Sequence, residues 1–158
     1  MPSKQDILEI LSEVQDPEVP AINVVEMGLV REVEFEDGGV CVVVTPTYSG
    51  CPAVKAIRDR IVDALHRHGF EAASTRMVLS PAWSTDFMSP EGKRKLKEYG
   101  IAPPALTSEL GFLGEQTVAC PFCDSEETEL KSEFGSTACK ALRYCNSCQQ
   151  PFEHFKCL

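Results

Sequence analysis

The sequence predicts an α+β domain, a small mixed sheet with helices, followed by a short metal-stabilised ribbon. Three observations carry this. Apolar residues recur at helical spacing in Ile7, Leu8, Leu11 and Val14, and again in Val54, Ile57, Ile61 and Leu65. A nearly unbroken apolar run, VCVVVTPT, follows the turn sequence EDGG. Six of the eight cysteines crowd into the chain from position 120 onward.

Ser3 is placed to cap the first helix, with Asp6 three residues on as a short capping box. The DPEVPA turn (Asp16 to Ala21) stops that helix, because each proline turns its predecessor away from helical angles. LVREVEF and VCVVVTPT then read as antiparallel strands joined by Asp-Gly, the second lying centrally because it is apolar on both faces. A second helix is expected from Pro52, ended by HRHG with its C-cap glycine. RMVLSPAW (Arg76 to Trp83) is expected as the third strand, and SPEG opens a short basic helix, KRKLKEYG. Residues 1–100 form the domain, 101–118 a proline-containing linker and 119–158 the cysteine module.

Composition narrows the function. A hydrophobic content of 43% supports a packed core. The formal net charge is −9, and residues 120–158 carry four Lys/Arg against six Asp/Glu, so neither part offers the cationic face a nucleic-acid binder needs. No apolar run suits a membrane helix. The charged, helix-like start is unlike an export signal, so the expected compartment is the cytoplasm.

In a reducing compartment clustered cysteines point to metal rather than disulfides. Cys120–Cys123 and Cys145–Cys148 are two Cys-x-x-Cys knuckles separated by 21 residues. Two such turns can bring four thiolates into a tetrahedron, which suits zinc; an iron–sulfur centre, or free or disulfide-bonded thiols, are the alternatives. TELKSEF and ALRYC are expected to pair as the ribbon's hairpin. Cys139 is the alternative ligand, Cys157 a spare thiol, and His154 a side chain packed between Phe152 and Phe155. A four-thiolate site is closed, so structural zinc implies no catalysis. No nucleophile–base constellation is visible, and an autonomous enzyme is not expected.

Cys51 stands between Gly50 and Pro52, where the second helix is expected to begin. At a helix N-cap, unpaired N–H groups and the dipole favour thiolate. Thr45, Thr47, Tyr48 and Ser49 supply hydroxyls nearby. Local physics leaves two readings open, a reactive or metal-contacting thiolate and a small packed cap. Cys41, within the apolar strand, reads as core.

Together, DPEVPAINVVEMGLV, TPTYSGCPA and CPFC…FGSTACKALRYCNSCQQPFEHFKC resemble the D-subunit family of bacterial phenylacetyl-CoA 1,2-epoxidases, accessory proteins of aerobic phenylacetate degradation. The first hundred residues are also similar to SufT-type iron–sulfur cluster assembly factors, in which an Asp-Pro-Glu turn and a cysteine before the second helix recur, here Asp16, Pro17, Glu18 and Cys51. The resemblance implies a non-catalytic accessory subunit that matures or repairs an iron or iron–sulfur centre. Cys51 would be the transient iron or cluster contact, with Asp16 and Glu18 supporting it. The ribbon would dock on the oxygenase or reductase component. A cluster takes four ligands, so Cys51 would need a partner thiol, glutathione or a second copy of the chain; a homodimer would bring two Cys51 together. The competing expectation is a purely structural docking subunit.

Overall fold

The computed structural model describes residues 1–48, 50–104 and 117–156. The Ser49 hydroxyl, most of the expected linker and Cys157 lie outside the described residues. Two compact units result, one of Met1–Trp83 with Phe87–Ser89, the other of Ser84–Asp86 and the chain from Pro90 onward.

In the first unit, α1 (Lys4–Leu11) begins at Ser3, whose side chain accepts from the Asp6 N–H while the Asp6 carboxylate accepts from the Ser3 N–H at 2.6 Å, the expected capping box. β1 (Val30–Glu36) and β2 (Gly39–Val44) pair antiparallel. Asp37 and Gly38, with φ of 46° and 79°, make the turn whose handedness suits a hairpin. β3 (Ala73–Met77) adds in parallel to the other edge of β2, giving the order β1-β2-β3 with the most apolar strand at the centre.

α2 (Val54–Arg67) returns the chain between β2 and β3 and packs on β3 and α1. Ile57, Ile61 and Leu65 of α2 are buried, as are Ile7 and Leu11 of α1 and Val42 of β2. Each such side chain contributes about 1.5–3 kcal/mol by leaving water. The helix ends as its sequence requires. His68 is the C-cap, Gly69 has φ 90°, and the Phe70 N–H returns to the Leu65 carbonyl at 3.0 Å.

Three expectations change. The third strand begins at Ala73 rather than Arg76 and stops at Met77. It is an edge strand with polar residues and little burial, so it lacks the apolar pattern that pointed to the later segment. The second helix begins at Val54 rather than Pro52, with Ala53 as an N-cap that makes no side-chain bond. Cys41 is half-buried rather than core. Its register with Ser74 places it on the face opposite Thr75, the residue α2 contacts through Arg58, and the Glu34–Arg76 ion pair spans its strand.

The segment after β3 folds back on the first unit. Trp83 Nε1 donates to the Met27 carbonyl at 3.0 Å, and the Ser89 N–H donates to the Glu26 carbonyl at 2.9 Å. Gly28, at φ 77°, lies so close to Phe87 that a Cβ would stand 2.4 Å from its carbonyl oxygen.

In the second unit, α3 (Pro90–Tyr99) runs into β4 (Ile101–Ala102). β5 (Thr128–Ser132), β6 (Lys140–Cys145) and β7 (Pro151–Phe155) complete a sheet of order β4-β7-β6-β5. β5 and β6 are the expected hairpin. β4, inside the segment read as linker, pairs in parallel with β7, because Ile101 and Ala102 lie opposite Glu153 and His154. No helix among the described residues is long and apolar enough to cross a membrane.

Candidate metal centre

Each Cys-x-x-Cys is a tight turn at one end of the ribbon sheet. The Phe122 N–H points at Cys120 Sγ at 3.4 Å, and the Asp124 N–H returns to the Cys120 carbonyl at 2.9 Å. Asp124 and Gln149, the residues after each knuckle, adopt φ of 61° and 59°. Ser125 and Ser147 tie the two turns together through their hydroxyls at 3.0 Å.

The knuckles bring Cys120, Cys123, Cys145 and Cys148 together with all four sulfurs within 4.8 Å of one another. Cys120 and Cys148 approach to 3.7 Å, Cys123 and Cys145 to 3.6 Å. A tetrahedron with metal–sulfur bonds of about 2.3 Å separates its sulfurs by roughly 3.8 Å, so the donor set fits one ion. Cys120 and Cys145 are buried in a small apolar core with Ala102, Val118 and Phe152.

The clustered thiols shift one another's ionisation in opposite directions. The backbone N–H of Cys148 favours the Cys145 thiolate and draws its pKa down to about 7. Burial, then the neighbouring Cys145, Cys120 and Cys123, push Cys148 up to about 12. Thiolates this close repel unless a positive ion sits among them.

Cys51 lies outside the helix that was expected to activate it. Its carbonyl accepts from the Val54 N–H at 3.3 Å, and Ala53 is the N-cap. Burial raises the Cys51 pKa, the Ala53 N–H opposes that, the Glu18 carboxylate adds to it, and the Tyr48 and Thr47 hydroxyls oppose it again. The net direction is up, opposite to the activated thiolate that an N-cap position implied. Glu18 is therefore near Cys51. Asp16 is buried, and its Oδ1 accepts from the N–H groups of Glu18 at 2.7 Å and Val19 at 3.3 Å, which holds the turn presenting Glu18.

Comparison with known proteins addresses both halves. Residues 4–70 match the family model "Iron-sulfur cluster assembly protein", and residues 107–156 match "PaaD zinc beta ribbon domain". The chain is 45% identical over 157 residues, 99% of its length, to an Escherichia coli K12 protein named as the putative D subunit of 1,2-phenylacetyl-CoA epoxidase, of which the match covers 94%. The chain belongs to the phenylacetyl-CoA epoxidase D-subunit family. The N-terminal part alone is 38% identical over 78 residues to the Staphylococcus aureus Fe-S protein maturation auxiliary factor SufT, covering 48% of this chain and 88% of that one. It also superposes on a DUF59 domain structure from Bacillus anthracis, with a TM-score of 0.55, 26% identity and coverage of 59% and 90%.

In this D-subunit chain, Asp16, Glu18 and Cys51 fall within the assembly-type match and the four clustered cysteines within the ribbon match. Cys139 is not one of the four clustered sulfurs. It is buried, and its thiol meets the Thr137 hydroxyl at 3.0 Å. His154 is buried on β7, with Nε2 making no hydrogen bond among the described residues; burial, then Arg143 and Lys156, lower its pKa to about 4. Sequence reasoning missed Glu153. Its carboxylate accepts from the Ser136 N–H at 2.7 Å and the Ser136 hydroxyl at 2.8 Å, anchoring the FGSTACK loop across the sheet. Nothing local marks that role, because the partners are 17 residues apart.

Proposed function

We propose that this chain is a non-catalytic accessory subunit of a phenylacetyl-CoA epoxidase, one that matures or repairs an iron or iron–sulfur centre of that complex. The observation that carries the reading is the union, in one chain, of an assembly-type unit holding Cys51 within electrostatic reach of Glu18 with a closed four-thiolate ribbon. It is supported by a relative named as an epoxidase subunit over nearly the full length and by shorter relatives named as maturation factors.

The ribbon's ion is zinc in this reading, held by Cys120, Cys123, Cys145 and Cys148. Four thiolates close the coordination shell, so the ion supplies folding free energy and leaves no position for a substrate. The ribbon is the docking module for the oxygenase or reductase component. Thiolate ligation requires reduced cysteines, and we take the working compartment to be the cytoplasm.

Cys51 receives iron as cargo. A neutral thiol beside a carboxylate has little affinity for anions, and it releases its proton as a cation arrives. One sulfur and one carboxylate cannot complete an iron or cluster coordination shell, so a partner site with more ligands takes the cargo. A second reading, a purely structural docking subunit, is favoured by the raised pKa of Cys51, which keeps the resting thiol unreactive.

Co-production of the oxygenase component with wild type or Cys51→Ser, without oxygen, separates the two. Maturation requires one zinc per chain in both proteins and less iron in the oxygenase produced with Cys51→Ser. Equal iron loading would remove the maturation role and leave the docking one.

A further inference from the structure

β7 carries a buried imidazole with open space beside it. His154 is 4% exposed, and its Nε2 is buried with no hydrogen-bond partner among the described residues. Its cross-strand neighbours are Ala102 on one side and Ala141 on the other, and neither side chain has a polar group to offer. His154 lines a cavity of about 210 Å³ together with Pro103, Pro104, Val118 and Pro121. Those walls are apolar, and the three prolines lack even a backbone N–H.

A buried polar nitrogen without a partner is costly and calls for a reason, and a ligand in the adjoining cavity supplies one. Size narrows the ligand. A dry cavity of about 150 Å³ holds a benzene ring, so this one has room for a ring and one small polar group. Charge narrows it further. The charged groups acting on the imidazole are the cations Arg143 and Lys156, which favour an anion beside it. Lys97 stands on the cavity wall, paired with an Asp124 carboxylate that is 70% exposed and screened by water. A neutral imidazole keeps one N–H, which suits an acceptor.

We propose that the cavity beside His154 binds a small organic monoanion of the arylcarboxylate class. Its carboxylate accepts from the imidazole N–H with Lys97 nearby, and its ring lies against Pro103, Pro104 and Val118. A carboxylate enters such a site only because donors meet it there. The site works whether or not Cys51 carries iron.

Benzoate is titrated into the zinc-loaded full chain near neutral pH, up to about 10 mM. Imidazole ¹⁵N resonances locate the site, and ligand-observed NMR gives the affinity. Benzyl alcohol and benzylamine are the uncharged and cationic controls. The expected result is a saturable shift of His154 alone among the three histidines. Affinity should fall about tenfold in His154→Leu, which removes the N–H, and should fall in Ala119→Phe as well. Ala119 is exposed and lines the cavity, so the larger ring takes up its volume without entering the core, and this variant serves if His154→Leu folds poorly. No saturable shift of His154 would overturn the proposal. So would benzyl alcohol or benzylamine binding as tightly as benzoate, or a benzoate affinity unchanged in both variants.

Discussion

Cys123 and Cys145, 22 residues apart in the chain, meet sulfur to sulfur at 3.6 Å. Two thiols can share a proton at that distance, but two thiolates hold it only around a cation, so a metal-bound state of the site should depend on its metal. Cys145→Ser should lose the bound metal and the β signal of the ribbon together, read by elemental analysis and circular dichroism. Affinity should also fall as pH falls, because protons compete for the thiols, Cys148 most strongly with its pKa near 12. Each thiol that must give up its proton contributes up to about tenfold per pH unit. Chelator competition at several pH values measures the slope, and a flat profile would contradict a thiolate site.

His154 adds a second pH dependence. Its pKa of about 4 lies below the ordinary 6.5, so the unfolded chain binds the proton first. Stability from this residue is fully present above about pH 6.5 and is lost as pH falls toward 4, by about 3 kcal/mol at most. Urea unfolding of His154→Leu, with zinc bound, should be flatter than wild type across that window. Both proteins share the acid sensitivity of the metal site, so the difference isolates the imidazole.

Gly28→Ala should damage the first unit. The new Cβ would stand 2.4 Å from the Phe87 carbonyl oxygen, at a φ of 77° that alanine adopts only with strain. Neither obstacle is the end of a flexible side chain, so we expect a loss of about 3 kcal/mol or more in denaturant unfolding. A midpoint within error of wild type would mean that the segment around Phe87 moves freely.

What was legible in the sequence was local. The Ser3–Asp6 box, the Asp37–Gly38 turn, the His68–Gly69 helix end and the two knuckles each rest on residues a few positions apart, and the structure has all of them. What was not legible depends on distant partners. β3 owes its existence to the edge of β2 and not to its own polar residues. β4 is a strand because β7 lies beside it, and Cys41 lies on the other face of the sheet from α2 because of its register with Ser74. At Cys51, spacing suggested a helix cap. The chain instead spends Pro52 and Ala53 on a turn before α2 begins, and the raised pKa follows from burial and Glu18.

Ile101 and Ala102 make only two rungs of ladder, yet they define what could be transplanted. A graft starting at residue 119 would carry every clustered cysteine. It would lack the segment that shields the edge of β7, and an unshielded edge invites other chains to pair with it. It would also lack Ala102, which packs beside Cys120 and Cys145. The compact unit that keeps β4 beside β7 also takes in α3, which starts at Pro90 and leads into those two residues.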